Sequence, residues 1–189
     1  MVGVADLVLA PGSFVRDTIL AFHPAKKFAM APYGVDLEFW CPGQPFPRPQ
    51  SSSPLKFIYA GQSSICKGIP LLLEAWRLAA LKNAHLELVG SWQLAPEKLR
   101  SLPPNVTFTG PVSRAQLRAC YQQADVFLFP SFFEGFGLVI LEAMACALPT
   151  VATQSSAGPD ILDDSCGWIA PAGHLEAWVE MLRWVCRQL

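Results

Sequence analysis

The chain is poor in charge. Aspartate, glutamate, lysine and arginine make up 15% of its 189 residues, against roughly 25% in an ordinary globular chain. The formal net charge is -1, so the whole chain offers no electrostatic footprint for nucleic acid or an anionic membrane. Few charges together with a positive mean hydropathy imply a large core, or a surface that something else normally covers.

Long apolar runs are also missing. The longest, Phe136–Leu141, is stopped by Glu142, far short of the ~20 residues of a membrane span. The opening MVGVADLVLAPGSF has neither the basic flank nor the apolar length of a signal peptide. The six cysteines (41, 66, 120, 146, 166 and 186) form no C-x-x-C pair, which removes metal-ligand spacing and leaves no metal site to expect. Cys120 and Cys146 fall in apolar helical patterns, where cysteine acts as a small hydrophobe. The set reads as reduced thiols in a cytoplasmic protein. No G-x-G-x-x-G follows the first strong strand, so a dinucleotide fingerprint is absent.

What is present falls into two textures. Residues 41–54, CPGQPFPRPQSSSP, contain five prolines and three consecutive serines and read as a linker. After it, apolar strand patterns (LKFIYA, AHLELVG, NVTFTG, DVFLF, PTVAT, CGWIA) alternate with helical ones (70–81, 96–101, 113–123, 138–147, 175–185). DVFLF is a continuous apolar run, the mark of a strand buried on both faces. Such alternation predicts an α/β fold, a Rossmann-like doubly wound parallel sheet over residues 55–189. Residues 1–40 offer only a strand, a capped helix at Ser13–Phe22 and a second strand. That is too little to bury its own faces, so it reads as the end of a preceding domain and the chain as a fragment.

In a parallel sheet, ligands bind beyond the carboxyl ends of the strands. Two loops lie there. The first is GQSSICKG, residues 61–68, which carries Lys67; an ammonium in that place suits a diphosphate, although a solvated surface lysine is the plainer reading. The second is PSFFEGFG, residues 130–137, followed by a helix containing Glu142. Gly135 and Gly137 allow close backbone approach, and the helix start exposes free N–H groups to an anion. Glu142 is the only charge between Leu138 and Ala147. A buried carboxylate needs donors, and a ribose diol supplies two. A core arginine or lysine, or a solvent-facing strip, would serve equally. Glu134 would face the other end of such a ligand, or be an exposed loop acid.

These pieces, in this order, resemble the retaining glycosyltransferases of family 4, which have the two-domain GT-B fold. The resemblance covers essentially the whole chain: FIYAGQSSICKG, then the stretch from FTGPVSRAQL to PTVAT with its glutamate, seven residues, glutamate, and upstream ADLVLAPGSFVRDTIL and MAPYGVDLEFW. It implies that residues 1–40 end the acceptor domain, 41–54 link, and 55–189 bind a nucleotide-diphosphate sugar. Lys67 would meet the diphosphate and Glu142 the ribose. Glu134 would meet a sugar hydroxyl, Lys67 and Glu134 being the catalytic pair. Gly61, Gln62, Gly135, Phe136, Gly137 and Leu138 would line the donor, and backbone at Val112 would meet the base. Transfer would be retaining, with no cofactor and no metal. The glycan, lipid or small-molecule acceptor would be met through the missing N-terminal domain, and a membrane, if at all, only peripherally by the full-length protein. Nucleic acid is not an expected partner.

Three positions depart from the family pattern. Gln62 stands where arginine is common, Ala147 where glycine is usual, and Asp160 where glutamate is more frequent. The first removes one of two cations from the pyrophosphate loop and keeps open an alternative: a non-catalytic nucleotide-binding module on the same scaffold. None of His23, His85 and His174 occupies the place of the family's histidine. This chain alone is therefore expected to bind donor without efficient transfer.

Overall fold

A computed structural model describes residues 4–44 and 54–188. Residues 45–53 of the predicted linker lie outside the described residues. Two strands, β1 (Val8–Ala10) and β2 (Phe28–Met30), flank helix α1 (Ser13–Phe22) and pair in parallel. The rest is a six-stranded sheet: β3 (Leu55–Ala60), β4 (Ala84–Val89), β5 (Val106–Gly110), β6 (Val126–Phe129), β7 (Thr150–Thr153) and β8 (Gly167–Ala170). Its order is β5-β4-β3-β6-β7-β8, with every pairing parallel. The helices are α2 (Ile69–Ala79), α3 (Pro96–Arg100), α4 (Arg114–Gln123), α5 (Leu138–Ala145), α6 (Gly158–Ile161) and α7 (Leu175–Gln188). The predicted doubly wound α/β sheet is the observed one.

The two-residue period of the strands divides the core in two. Phe57, Tyr59, Val126 and Leu128 face α2 and α7, packing with Leu72, Trp76, Trp178 and Leu182. Ile58, Ala60, Phe127 and Phe129 face the other way, onto Trp40, Tyr121, Ile140 and Ala143. The central strands are covered on both faces, which is why β6 reads as an unbroken apolar run.

Helix starts follow three local rules. At α4, Ser113 accepts from the Gln116 N–H while the Gln116 side chain accepts from the Ser113 N–H, a reciprocal capping box. At α2, Gly68 takes a left-handed φ of 70, and a Cβ there would lie 2.1 Å from the Pro130 carbonyl oxygen. At α1, the expected serine cap is not formed. Gly12 is the N-cap, and the Ser13 N–H instead donates to the Asp160 carboxylate at 2.7 Å. The cap thus comes from α6, a one-turn helix that periodicity did not reveal. Helix α1 buries none of its residues, and Leu9, Phe22 and Met30 are exposed.

Ala147, just past α5, has φ 61. An L-residue with a Cβ is strained there by about 1–2 kcal/mol, which accounts physically for glycine in the pattern this chain departs from. Ala147→Gly should therefore stabilise the protein by about 0.5–1 kcal/mol, after the entropy glycine adds to the unfolded chain. Urea unfolding with an unchanged m-value would show it; a lower midpoint would mean the strain is absent.

Candidate functional site

Strands β3 and β6 are neighbours at the centre of the sheet, and the strand order reverses between them. Their following loops diverge to opposite faces there, opening the crevice that parallel sheets use for ligands. A cavity of about 590 Å³ occupies this point.

The loop after β6 is fixed along its length. The Phe132 N–H donates to the Cys66 carbonyl at 3.0 Å, the Glu134 N–H to Ser155 at 3.0 Å, and the Ala157 N–H to Phe136 at 3.0 Å. A buried Thr153 hydroxyl donates to the Ser131 carbonyl at 2.7 Å. Together with the close approach of Gly68 to Pro130, these bonds tie the loop to the β3–α2 turn on one side and the β7–α6 turn on the other. Lys67 and Glu134 emerge from this frame toward each other. The Lys67 ammonium donates to Glu134 Oε2, forming an ion pair with both side chains about a quarter exposed (25% and 23%). Glu134 Oε1 also accepts from the Gly135 N–H at 3.1 Å.

Of the residues expected at the site, Gly61, Lys67, Glu134, Gly135, Phe136, Gly137 and Leu138 line this one cavity. Gln62, Val112 and Glu142 do not. The Gln62 side chain is exposed, while its carbonyl accepts the Tyr59 hydroxyl at 2.7 Å. Val112 packs against the apolar cluster around Trp40 and Tyr121. Glu142 lies one turn along α5 from Leu138 and Val139, about 6 Å of helix rise. Gly137 begins that helix with φ 89, where a Cβ would sit 3.0 Å from the Phe129 ring. No side chain among the described residues caps it, and its first two residues, Leu138 and Val139, line the cavity.

The cavity has a wall that sequence reasoning missed. Pro11, Val15 and Tyr33 come from the first forty residues. The Tyr33 ring meets Phe136 edge-on at 5.2 Å, and Phe14 meets Phe133 at 5.4 Å. Tyr59 also lines it, fully buried. Burial and the nearby Glu134 charge push its phenol well above the usual tyrosine range, so it stays a neutral donor. The one signal for Tyr59 was its hydroxyl in an otherwise apolar strand segment.

Glu142 is half-buried, and its carboxylate makes no hydrogen bond or ion pair among the described residues. Burial raises its carboxyl above the ordinary value, and the Arg114 charge pulls it partly back. The alternative of a direct core ion pair is thus not met among the described residues. Beneath it lies Tyr121, whose buried hydroxyl also lacks a partner and whose phenol is raised by burial and by the Glu142 charge. The Arg114 guanidinium stacks on Phe39 and Trp40, at 4.7 and 5.5 Å from the ring centres.

The chain matches the family described as glycosyl transferases group 1 over residues 54–188. It is 31% identical over 193 residues to a sulfoquinovosyl transferase of Arabidopsis thaliana, covering 95% of this chain and 37% of that protein. Sucrose-phosphate synthase from Thermosynechococcus elongatus superposes with a TM-score of 0.79 at 24% identity, over 98% of this chain and 50% of that one. Anabaena HepE in complex with UDP-glucose gives 0.74 at 19% identity, over 97% and 55%. These last two likenesses speak for a shared fold. The chain spans less than half the length of the curated relatives it matches.

Burial of Glu142 makes stability depend on pH. Its folded-state value lies above the ordinary 4.5, so between the two the native state binds more protons than the unfolded chain. Stability then falls as pH rises through that window, and above it the ionised carboxylate remains a constant cost. Glu142→Gln should melt higher than the wild type near neutral pH, and the gap should close on acidification below the ordinary glutamate value. Paired thermal melts across that range test this; a variant that melts lower at neutral pH would contradict it.

Proposed function

Because the chain belongs to the group 1 glycosyl transferases, we propose that its cavity binds a nucleoside diphosphate sugar, the donor for retaining transfer of a hexosyl group by the full-length protein. The observation that carries this reading is the convergence of Lys67, Glu134 and the uncapped start of α5 on one cavity at the reversal of strand order. A lysine and free helix N–H groups suit a diphosphate; a carboxylate suits sugar hydroxyls. HepE, of the same fold, has been captured with UDP-glucose, which supports the choice of ligand class.

On this reading the chemistry is a matter of charge placement. Breaking the bond between the sugar and the diphosphate leaves negative charge on the phosphate oxygen. The Lys67 ammonium and the first N–H groups of α5 are fixed before that charge develops, so little reorganisation is needed to meet it. Glu134 would orient the sugar by accepting its hydroxyl protons. Glu142, whose carboxylate lacks a partner among the described residues, would take the ribose diol, whose two hydroxyls replace the water it otherwise needs. No cofactor enters this scheme. The acceptor would be met through the remaining length of the protein.

One observation favours a second reading. Gln62 places a neutral side chain in the β3–α2 loop, and Lys67 is the only cationic residue lining the cavity among the described residues. A module that binds nucleotide without transferring sugar would tolerate this.

UDP, GDP and ADP separate these readings from an unrelated use of the fold. Whichever nucleotide fits should, at a hundred times its dissociation constant, add about 2.7 kcal/mol of stability, a rise of roughly 5–10 °C in Tm. No shift with any of the three at millimolar concentration would overturn the proposal. Glu142→Gln should weaken that nucleotide about tenfold while the domain remains folded, since a charged acceptor for two hydroxyls is lost. Unchanged affinity would remove Glu142 from the site.

A further inference from the structure

The Lys67–Glu134 ion pair joins the two side chains to which the preceding reading gives different parts of one ligand. The roots of both are held by backbone contacts. The bonds from Phe132 to Cys66 and from Glu134 to Ser155, with Gly68 pressed against Pro130, tie the loop backbones to each other and to the β7–α6 turn. The side chains can swing, and each is about a quarter exposed at the cavity wall. The ammonium has no hydrogen-bond acceptor besides Glu134 among the described residues, and the carboxylate has only the Gly135 N–H besides Lys67. Tyr59, whose phenol feels the Glu134 charge, gives its proton to the Gln62 carbonyl and is not free to replace the ammonium.

A diphosphate brought to the ammonium therefore competes with Glu134 for it. Where Lys67 turns to the phosphates, Glu134 is left with one backbone donor, close to a new negative group. A sugar attached to the diphosphate changes this outcome: its hydroxyls supply the donors Glu134 has lost and stand between the carboxylate and the phosphates. A bare nucleoside diphosphate offers no such replacement. We propose that the Lys67–Glu134 pair is an internal stand-in for the donor, which sets the affinity of the spent nucleoside diphosphate below that of the intact nucleotide sugar and speeds release of the product as the pair re-forms.

This inference rests on the donor-site reading, and one experiment separates their failures. Binding of UDP and of UDP-glucose would be measured by calorimetry for this chain, Glu134→Gln, Lys67→Met and the double variant, with GDP and ADP as further arms. Glutamine is isosteric and leaves the backbone bonds of position 134 in place. Glu134→Gln should bind the bare diphosphate about fivefold to tenfold more tightly, as expected on freeing a partly buried ammonium. It should also narrow the preference for UDP-glucose over UDP by a similar factor. Removing a negative charge near an anion site could tighten binding without any pair. In the Lys67→Met background that simple repulsion would persist, whereas release of Lys67 cannot; the gain from Glu134→Gln should therefore largely vanish there. An equal gain in both backgrounds, or none in either, overturns the stand-in and leaves the donor site standing. If no nucleotide or nucleotide sugar binds the wild type or Glu134→Gln, the donor-site reading itself falls.

Discussion

The cavity depends on a seam of backbone hydrogen bonds. Residues 130–137 would be an ordinary surface loop, losing about 1–2 kcal/mol per residue of chain entropy to become ordered. Instead its N–H and C=O groups alternate between two neighbouring turns: Phe132 to Cys66 on one side, Glu134 to Ser155 and Ala157 to Phe136 on the other. The groups being paired are backbone, so side-chain identity is free to serve the cavity. This is how a segment with two glycines and three phenylalanines holds one carboxylate at a fixed place, and why Gly68, where a Cβ would run into Pro130, matters as much as Lys67 beside it.

The sheet gives that seam its position. Parallel pairing brings all the strand ends to one edge, and the order β5-β4-β3-β6-β7-β8 separates the loops after β3 and β6 at its centre. The first forty residues close one side of the opening. At the opening, α1 and Tyr33 are anchored narrowly, by the Ser13 N–H on Asp160, Phe14 on Phe133 and Tyr33 on Phe136, while Val35, Phe39 and Trp40 farther along pack into the second core. With no buried residue in α1 and with Leu9, Phe22 and Met30 exposed, this unit has no core of its own. Its place over the cavity is held by contacts with the loop after β6 and with α6, and not by its own packing.

Much of this was legible in the sequence, for definable reasons. Strands such as Val126–Phe129 are wholly buried and carry four apolar residues in a row; helix α4 announces itself through Ser113 and Gln116. The loop glycines and Lys67 could be placed because strand ends in a parallel sheet share an edge. Long-range geometry was not legible. The Asp160 cap of α1 joins residues 147 positions apart, and no local pattern encodes it. The same holds for Pro11, Val15 and Tyr33 at the cavity, since their approach depends on how two units dock. Nor could spacing reveal that Lys67 and Glu134 meet each other: their sequence separation is 67, and each had been read toward a ligand. Glu142 stood out as a charge in an apolar helix. That its carboxylate would lack a partner among the described residues depended on where Arg114 stacks, which its own flanking residues do not determine.

The electrostatics of the cavity wall follow from one neutral residue. An arginine at position 62 would bring a second permanent cation to the β3–α2 loop, and a diphosphate could then be held while Lys67 stayed with Glu134. Gln62 brings no charge, and its carbonyl is already engaged by Tyr59. Lys67 is thus the one side-chain cation lining the cavity among the described residues, and Glu134 cancels it. A wall with no net charge attracts an anion weakly at long range, so encounter is not steered by these two groups. Attraction becomes strong only at contact, where the ammonium can exchange a carboxylate for phosphate oxygens and the start of α5 adds its N–H groups. In such a cavity, selectivity depends on what replaces the ammonium at Glu134. On the proposed reading, the neutral residue at 62 would make recognition of the sugar and recognition of the diphosphate parts of a single event.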